Sequence, residues 1–158
     1  MKLADDLKPY ESVLESVNLD SCYYAMVDLG VPTLLLTDYI YTDDNGVDAS
    51  IVARIYSLDT SGKVLDHGEL RTQGTSYPFT YSNGSLYRAG HHFIEKYCVR
   101  DGELICVENG LEKFEDGGKK SILWYQKGCE EMIQCDSLYE YISEEWFTSP
   151  VVAFIKIH

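Results

Sequence analysis

The sequence predicts an α+β, mainly β fold: an antiparallel meander of about eight strands, twisted or partly barrel-like, with an N-terminal helix and a short C-terminal helix. Three observations predict it. Turn glycines recur at 46, 62, 84, 102 and 118, preceded by Asn45, Ser61, Asn83, Asp101 and Gly117. Their spacing of 16 to 22 residues fits strand-turn-strand units. No apolar stripe at helical spacing lies between residues 22 and 128, so crossover helices are absent from that stretch and a parallel sheet is excluded.

Taken in order, the first element is a helix over about residues 8–18, with Tyr10, Val13, Leu14 and Val17 on one stripe and Pro9 in the first turn, where no amide donor is needed. Asn18 or Asp20 ends it. Cys22 to Val27 and Thr33 to Tyr41 follow as strands, being rich in β-branched and aromatic residues. The turns Asp43-Asp44-Asn45-Gly46, Asp59-Thr60-Ser61-Gly62, Ser82-Asn83-Gly84, Arg100-Asp101-Gly102 and Glu115-Asp116-Gly117-Gly118 then punctuate a meander over about 22–128. Segment 129–158 is mixed. There Ser143-Glu144-Glu145-Trp146-Phe147 has the serine cap and acidic first turn of a helix start, Pro150 stops it, and Val151 to Ile157 forms a last strand or a packed tail. Residues 1–158 thus read as a single domain, without linker, low-complexity segment or repeat.

Composition narrows the function classes. The chain has 158 residues, 26 acidic and 13 basic, for a formal charge of −13. A binder of nucleic acid or of an anionic membrane needs a basic patch, and none is supplied. Ten acids and two bases fall in residues 1–50, four and six in 51–100, and twelve and five in 101–158, so the centre is nearly neutral and the charge belongs to the ends. Five cysteines, at 22, 98, 106, 129 and 135, contain no Cys-x-x-Cys and cannot all pair within one chain. They read as reduced and structural, with Cys129 and Cys135 the pair near enough in sequence for a local bridge. Met1-Lys2-Leu3-Ala4 runs into Asp5-Asp6 where a secretory signal needs an apolar run, and the longest apolar cluster, Val31 to Leu36, is too short to span a bilayer. The expected location is cytoplasmic as written, or extracellular or cell-surface once a leader has been removed.

Chemistry-bearing patterns are sparse. His91-His92, with Glu95 and Cys98 nearby, invites a metal reading, but alternation along a strand would send the two rings to opposite faces, and no metal or other cofactor is assigned. Neither a Gly-x-Ser-x-Gly elbow nor a phosphate-cradling glycine loop occurs, and pairing of Cys98 with His67 or His92 is not indicated. The acid pairs Asp43-Asp44, Glu130-Glu131 and Glu144-Glu145 read as solvated turn or helix residues. The aromatics carry more. Tyr77, Phe79 and Tyr81 alternate with Ser76, Pro78 and Thr80, which would put three rings on one face of an edge strand, and Tyr39 and Tyr41 form a shorter stripe. Open to solvent, such faces are platforms for a glycan, a peptide or another protein; closed, they are one wall of the core. These five residues are the candidate ligand-binding set.

Tyr24-Ala25-Met26-Val27-Asp28-Leu29-Gly30-Val31-Pro32-Thr33-Leu34 resembles the Tyr-Ala-x-x-Asp-x-Asp-x-Asp-Gly-x-Pro-Glu-Leu stretch of uncharacterised, often exported or lipid-anchored proteins of gut anaerobic bacteria. Ile55-Tyr56-Ser57-Leu58 through Gly62-Lys63-Val64, Gly84 to Gly90, and Ile142 to Trp146 are similar to later segments of that family. The resemblance implies a bacterial, lipoprotein-like context and no known reaction. The family's aspartate-rich stretch looks like a calcium loop; here it is contracted to Asp28-Leu29-Gly30, Thr33 replaces the glutamate, and Asp43, Asp44, Asn45 and Asp48 are the only nearby substitutes.

With no catalytic motif and two tyrosine stripes, the expected function is a non-catalytic binding or interaction module for a protein or glycan, without direct nucleic-acid binding and without a transmembrane segment. The alternatives are an acidic inhibitor mimicking nucleic acid, favoured if Asp38, Asp43, Asp44 and Asp48 share a face with Glu130, Glu131 and Glu140, and a hydrolase, which requires two carboxylates or a Cys-His pair converging in a pocket.

Overall fold

The computed structural model describes residues 3–114, 117–118, 120–126, 133–134 and 136–158. Among these, thirteen strands form antiparallel sheets of five, six and two strands. The first sheet holds β1 (Tyr23–Asp28), β2 (Pro32–Thr37), β5 (Val52–Leu58), β6 (Val64–Arg71) and, beside β1, the terminal β13 (Ile155–Lys156). The second runs in chain order through β7 (Thr80–Ser82), β8 (Ser85–Ala89), β9 (Phe93–Arg100), β10 (Glu103–Phe114), β11 (Lys120–Gln126) and β12 (Ile133–Gln134). Between β2 and β5 the short hairpin β3 (Tyr41–Thr42) and β4 (Asp48–Ala49) stands apart.

The meander is therefore present, but divided between two facing sheets with more strands than expected, and it does not close into a barrel. Period-two alternation explains the layering. Along β1, Ala25 and Val27 point into the space between the sheets and Tyr24 and Met26 point outward; along β2, Leu35 points in and Leu34 and Leu36 point out. The inward set meets Phe79, Leu86 and Val99 from the second sheet, together with Val152 and Phe154 from the C-terminal segment. That segment bridges Thr80 through Val151 and then pairs with β1, linking the two sheets along one side.

Both faces of each sheet are apolar at several positions, so each outer face needs a cover. Leu7, Tyr10 and Leu14 of the N-terminal segment pack on Tyr24, Leu34, Leu36 and Tyr56. This cover is shorter than the helix expected over 8–18: a 3₁₀ turn at Lys8–Tyr10 leads into α1 (Glu11–Leu14), and a second 3₁₀ turn spans Leu19–Ser21. Ser12, Val13, Ser16 and Val17 are weak helix formers, and the Ser16 hydroxyl donates to the Val13 carbonyl at 2.7 Å as the chain tightens. Asn18 then caps the following turn, accepting from the Asp20 amide. The outer face of the second sheet is covered by α2 (Asp136–Thr148), whose Ile142 is fully buried against Tyr87, Ala89 and Ile94. This helix begins seven residues before Ser143, which is an interior residue and not a cap; Asp136-Ser137 is itself a helix-start sequence.

Every expected turn that is described joins a hairpin. At Asn83-Gly84 and Asp101-Gly102 both residues have positive φ (50° and 79°, 51° and 77°), the geometry that matches strand twist in tight hairpins.

Candidate functional site

The expected stripe of Tyr77, Phe79 and Tyr81 does not share a face. Strand geometry starts only at Thr80: the Tyr77 amide closes a turn onto the Gly74 carbonyl at 2.8 Å, and Pro78 has no donor for a ladder. Alternation therefore does not apply before Thr80. Phe79 is fully buried between the sheets, and Tyr81 packs at the margin of that core with its hydroxyl donating to the Asp28 carbonyl at 2.7 Å. Tyr77 instead turns to the outer face of the second sheet and joins Trp146, ring centroids 5.9 Å apart. Tyr39 and Tyr41 do come together, at 6.3 Å, and the Tyr41 hydroxyl donates to Thr75 in the loop that carries Tyr77. Burial, with Asp43 and Tyr39 nearby, pushes the Tyr41 phenol up to about 12.

Tyr77 marks one wall of an open groove of about 520 Å³ between α2 and the turn joining β8 to β9. The turn is tight. A Cβ on Gly90 would fall 2.3 Å from the Gln73 Oε1 and 2.3 Å from a Phe93 ring carbon, so only glycine fits. Gln73 Oε1 accepts from the His91 amide, and His91 Nδ1 lies 3.1 Å from the Tyr77 hydroxyl. His91 and His92 sit in this turn, not in a strand, and their rings are neighbours at 4.3 Å instead of facing opposite ways. His92 approaches Glu112 at 3.5 Å and meets Phe114 edge-on at 5.0 Å.

The opposite wall is helical. Trp146 lies one turn beyond Ile142 and packs toward the sheet, whereas Phe147, about 100° further round, is swung outward and left 81% exposed. Phe114 is also exposed, at 53%. Glu145 anchors this helix to the sheet: it accepts from Lys96 Nζ at 2.7 Å and from the Tyr87 hydroxyl. Burial acts to raise the Glu145 carboxyl, but the Lys96 and Tyr87 hydrogen bonds and the Lys96 charge outweigh it and hold it below the usual range. Glu112 and Glu144 both line the groove, and the Trp146 indole N–H is buried without a partner among the described residues.

Of the five candidate residues Tyr77 lines this groove; Trp146 and Phe147, which line it too, are not among them. The signal was available for one of them: two adjacent bulky aromatics on a helix cannot both face a sheet.

The other candidates are dispersed. His67 pairs with the fully buried Ser57 at 2.7 Å on the first sheet, away from Cys98 on the second, and burial lowers the imidazole, a shift that Asp66 opposes. Asp43 Oδ1 accepts from the Asn45 and Val47 amides and Asp48 accepts from Thr42, which is hairpin usage. Among the described residues no three His, Cys, Asp or Glu side chains gather as a metal ion would require, and no helix is long and apolar enough to cross a membrane. Cys22, Cys98 and Cys106 are free thiols. The Cys129 to Cys135 bridge and the Glu130 and Glu131 cluster lie outside the described residues.

No family model matches the chain, and no curated protein and no solved structure matches it.

Proposed function

We propose that the protein is a non-catalytic binding module that holds a glycan in the groove between α2 and the β8 to β9 turn. The observation carrying this reading is the groove wall made by the half-buried Tyr77 and Trp146 and the outward-facing Phe147, beside polar groups. Phe147, 81% exposed, lies outside the core and lines one groove with Trp146 and Tyr77, an aromatic cluster of the kind that marks an interaction site. A sugar ring has an apolar C–H face for the aromatics and a rim of hydroxyls for His91, Ser143, Glu112 and Glu144.

A glycan array followed by titration of the best hit tests it. Phe147→Ala should abolish retention while leaving stability within about 0.5 kcal/mol, because the ring is exposed. Retention of peptides and of no glycan would overturn it. A second reading, a glycoside hydrolase, is favoured by Glu112 of β10 and Glu144 of α2 lining one groove, since that chemistry uses two carboxyl groups on opposed walls. Release of reducing ends that is lost in both Glu112→Gln and Glu144→Gln would favour that reading over simple binding.

A further inference from the structure

A second groove, of about 470 Å³, opens where β8 begins and β9 ends and reaches Leu29 and Gly30 in the turn from β1 to β2. Its floor is set by a β-bulge. Cys106 pairs with Tyr97 but Glu108 pairs with Lys96, so Val107 is an extra residue in β10. Regular alternation would have placed Val107 opposite Lys96 and turned Glu108 inward; the bulge puts the Glu108 carboxyl on the outer face, in the groove.

That carboxyl is peculiarly placed. Glu108 is only 9% exposed, and its Oε1 has no hydrogen-bond partner among the described residues. Burial is the main influence raising it above the ordinary carboxylate range; Lys96 opposes the rise, Glu145 adds to it, and the Trp124 indole N–H favours the charged form without reaching hydrogen-bond geometry. A buried acceptor with an open lone pair is costly unless a donor arrives. At the rim of the same groove the exposed Arg100 guanidinium has no ion-pair partner among the described residues. Ser85 and Asn83, the latter on the left-handed Asn83-Gly84 turn, line the same groove. The groove is thus lined by a desolvated acceptor, Glu108, by two cations, Lys96, which is paired with Glu145, and the exposed Arg100, and by the neutral polar Ser85 and Asn83.

We propose that this groove is a second binding site, for a small zwitterion of the α-amino acid class, with the ligand ammonium donating to Glu108 and its carboxylate meeting Arg100. A simple amine would satisfy only the floor and a simple carboxylate only the rim, whereas an amino acid satisfies both. Because the ammonium favours the charged Glu108, binding releases a proton wherever the empty site holds one.

Isothermal titration and thermal shift with the twenty α-amino acids, and separately with ethylamine and with acetate, test this. At least one amino acid should raise Tm and bind with measurable heat, and ethylamine and acetate should each bind at least tenfold more weakly. Glu108→Gln and Arg100→Ala should each weaken the amino acid by tenfold or more. Neither is expected to unfold: Arg100 is exposed, and the Gln variant relieves a buried charge. No response to any amino acid, an equal response to ethylamine alone, or undiminished binding by either variant would overturn the proposal. Binding here is independent of Phe147, so Phe147→Ala should leave it intact.

Discussion

Glu108→Gln should make the protein more stable at neutral pH, and the size of the gain can be worked out. Desolvating a carboxylate costs at least as much as the roughly 1–3 kcal/mol of a neutral polar group, and Glu108 is 9% exposed; Gln keeps the unpartnered oxygen but not the charge. Lys96 works the other way, favouring the charge across the β9 and β10 pair. The net gain therefore belongs at the low end, about 1 kcal/mol, which for a chain of this length is a rise in Tm of roughly 2–4 °C. The sign with pH follows from the raised carboxyl. Between the unfolded value near 4.5 and the higher folded value the native state holds the extra proton, so wild-type stability is full below about pH 4.5 and falls as pH rises through the folded value. Gln carries no such dependence. Urea denaturation of both proteins at pH 7.5 and pH 4 should show a gap at the higher pH that closes at the lower one. A Gln variant less stable than wild type at pH 7.5 would refute the reasoning, because it would mean that the attraction of Lys96 exceeds the desolvation of the carboxylate.

Gly90→Ala should cost about 1–3 kcal/mol, since its Cβ would meet Gln73 and Phe93 at 2.3 Å; an unchanged denaturation midpoint would show that the turn relaxes freely. Leu35→Ala, at a fully buried position between the sheets, should cost about 2–5 kcal/mol by urea titration, and a loss well under 1 kcal/mol would mean that the two sheets do not share this core. His67, held below its ordinary value of 6.5 by burial, makes wild-type stability fall as pH drops through 6.5 toward the folded value, because the unfolded chain then takes up the proton first. His67→Gln should flatten that limb of the stability profile, and an identical slope in both proteins would remove the imidazole from the account.

The hairpins were legible because their signal is local: Asn83-Gly84 and Asp101-Gly102 specify a turn from two residues alone, and both formed one. The division into two facing sheets was not, since Ala25 and Val27 facing Leu86 and Val99 is a non-local arrangement that alternation within a strand cannot rank against a barrel. Tyr77, Phe79 and Tyr81 show where the period-two rule fails. It holds only inside a ladder, and the Gly74 turn and Pro78 keep the chain out of one until Thr80. Glu108 was illegible for a related reason: a bulge shifts the parity of everything beyond it, and no residue type in Cys106-Val107-Glu108 announces the extra position.

Lys96 links two grooves of different chemistry. Its ammonium donates to Glu145, the residue before Trp146, and the same side chain belongs to the lining of the groove that holds Glu108. An ion pair of this kind, with both side chains about four-fifths buried, rarely adds net stability over an apolar replacement, but removing one partner alone strands a buried charge. Its effect is positional. By fixing Glu145 against the sheet it sets the rotation of α2, and that rotation is what turns Trp146 toward Tyr77 and Phe147 out to solvent. The same Lys96 charge opposes the rise of the Glu108 carboxyl that burial causes. A hydrophobic residue at 96 could hold the helix as firmly, yet it would leave Glu108 and Glu145 buried without a cation and neither groove in its present form.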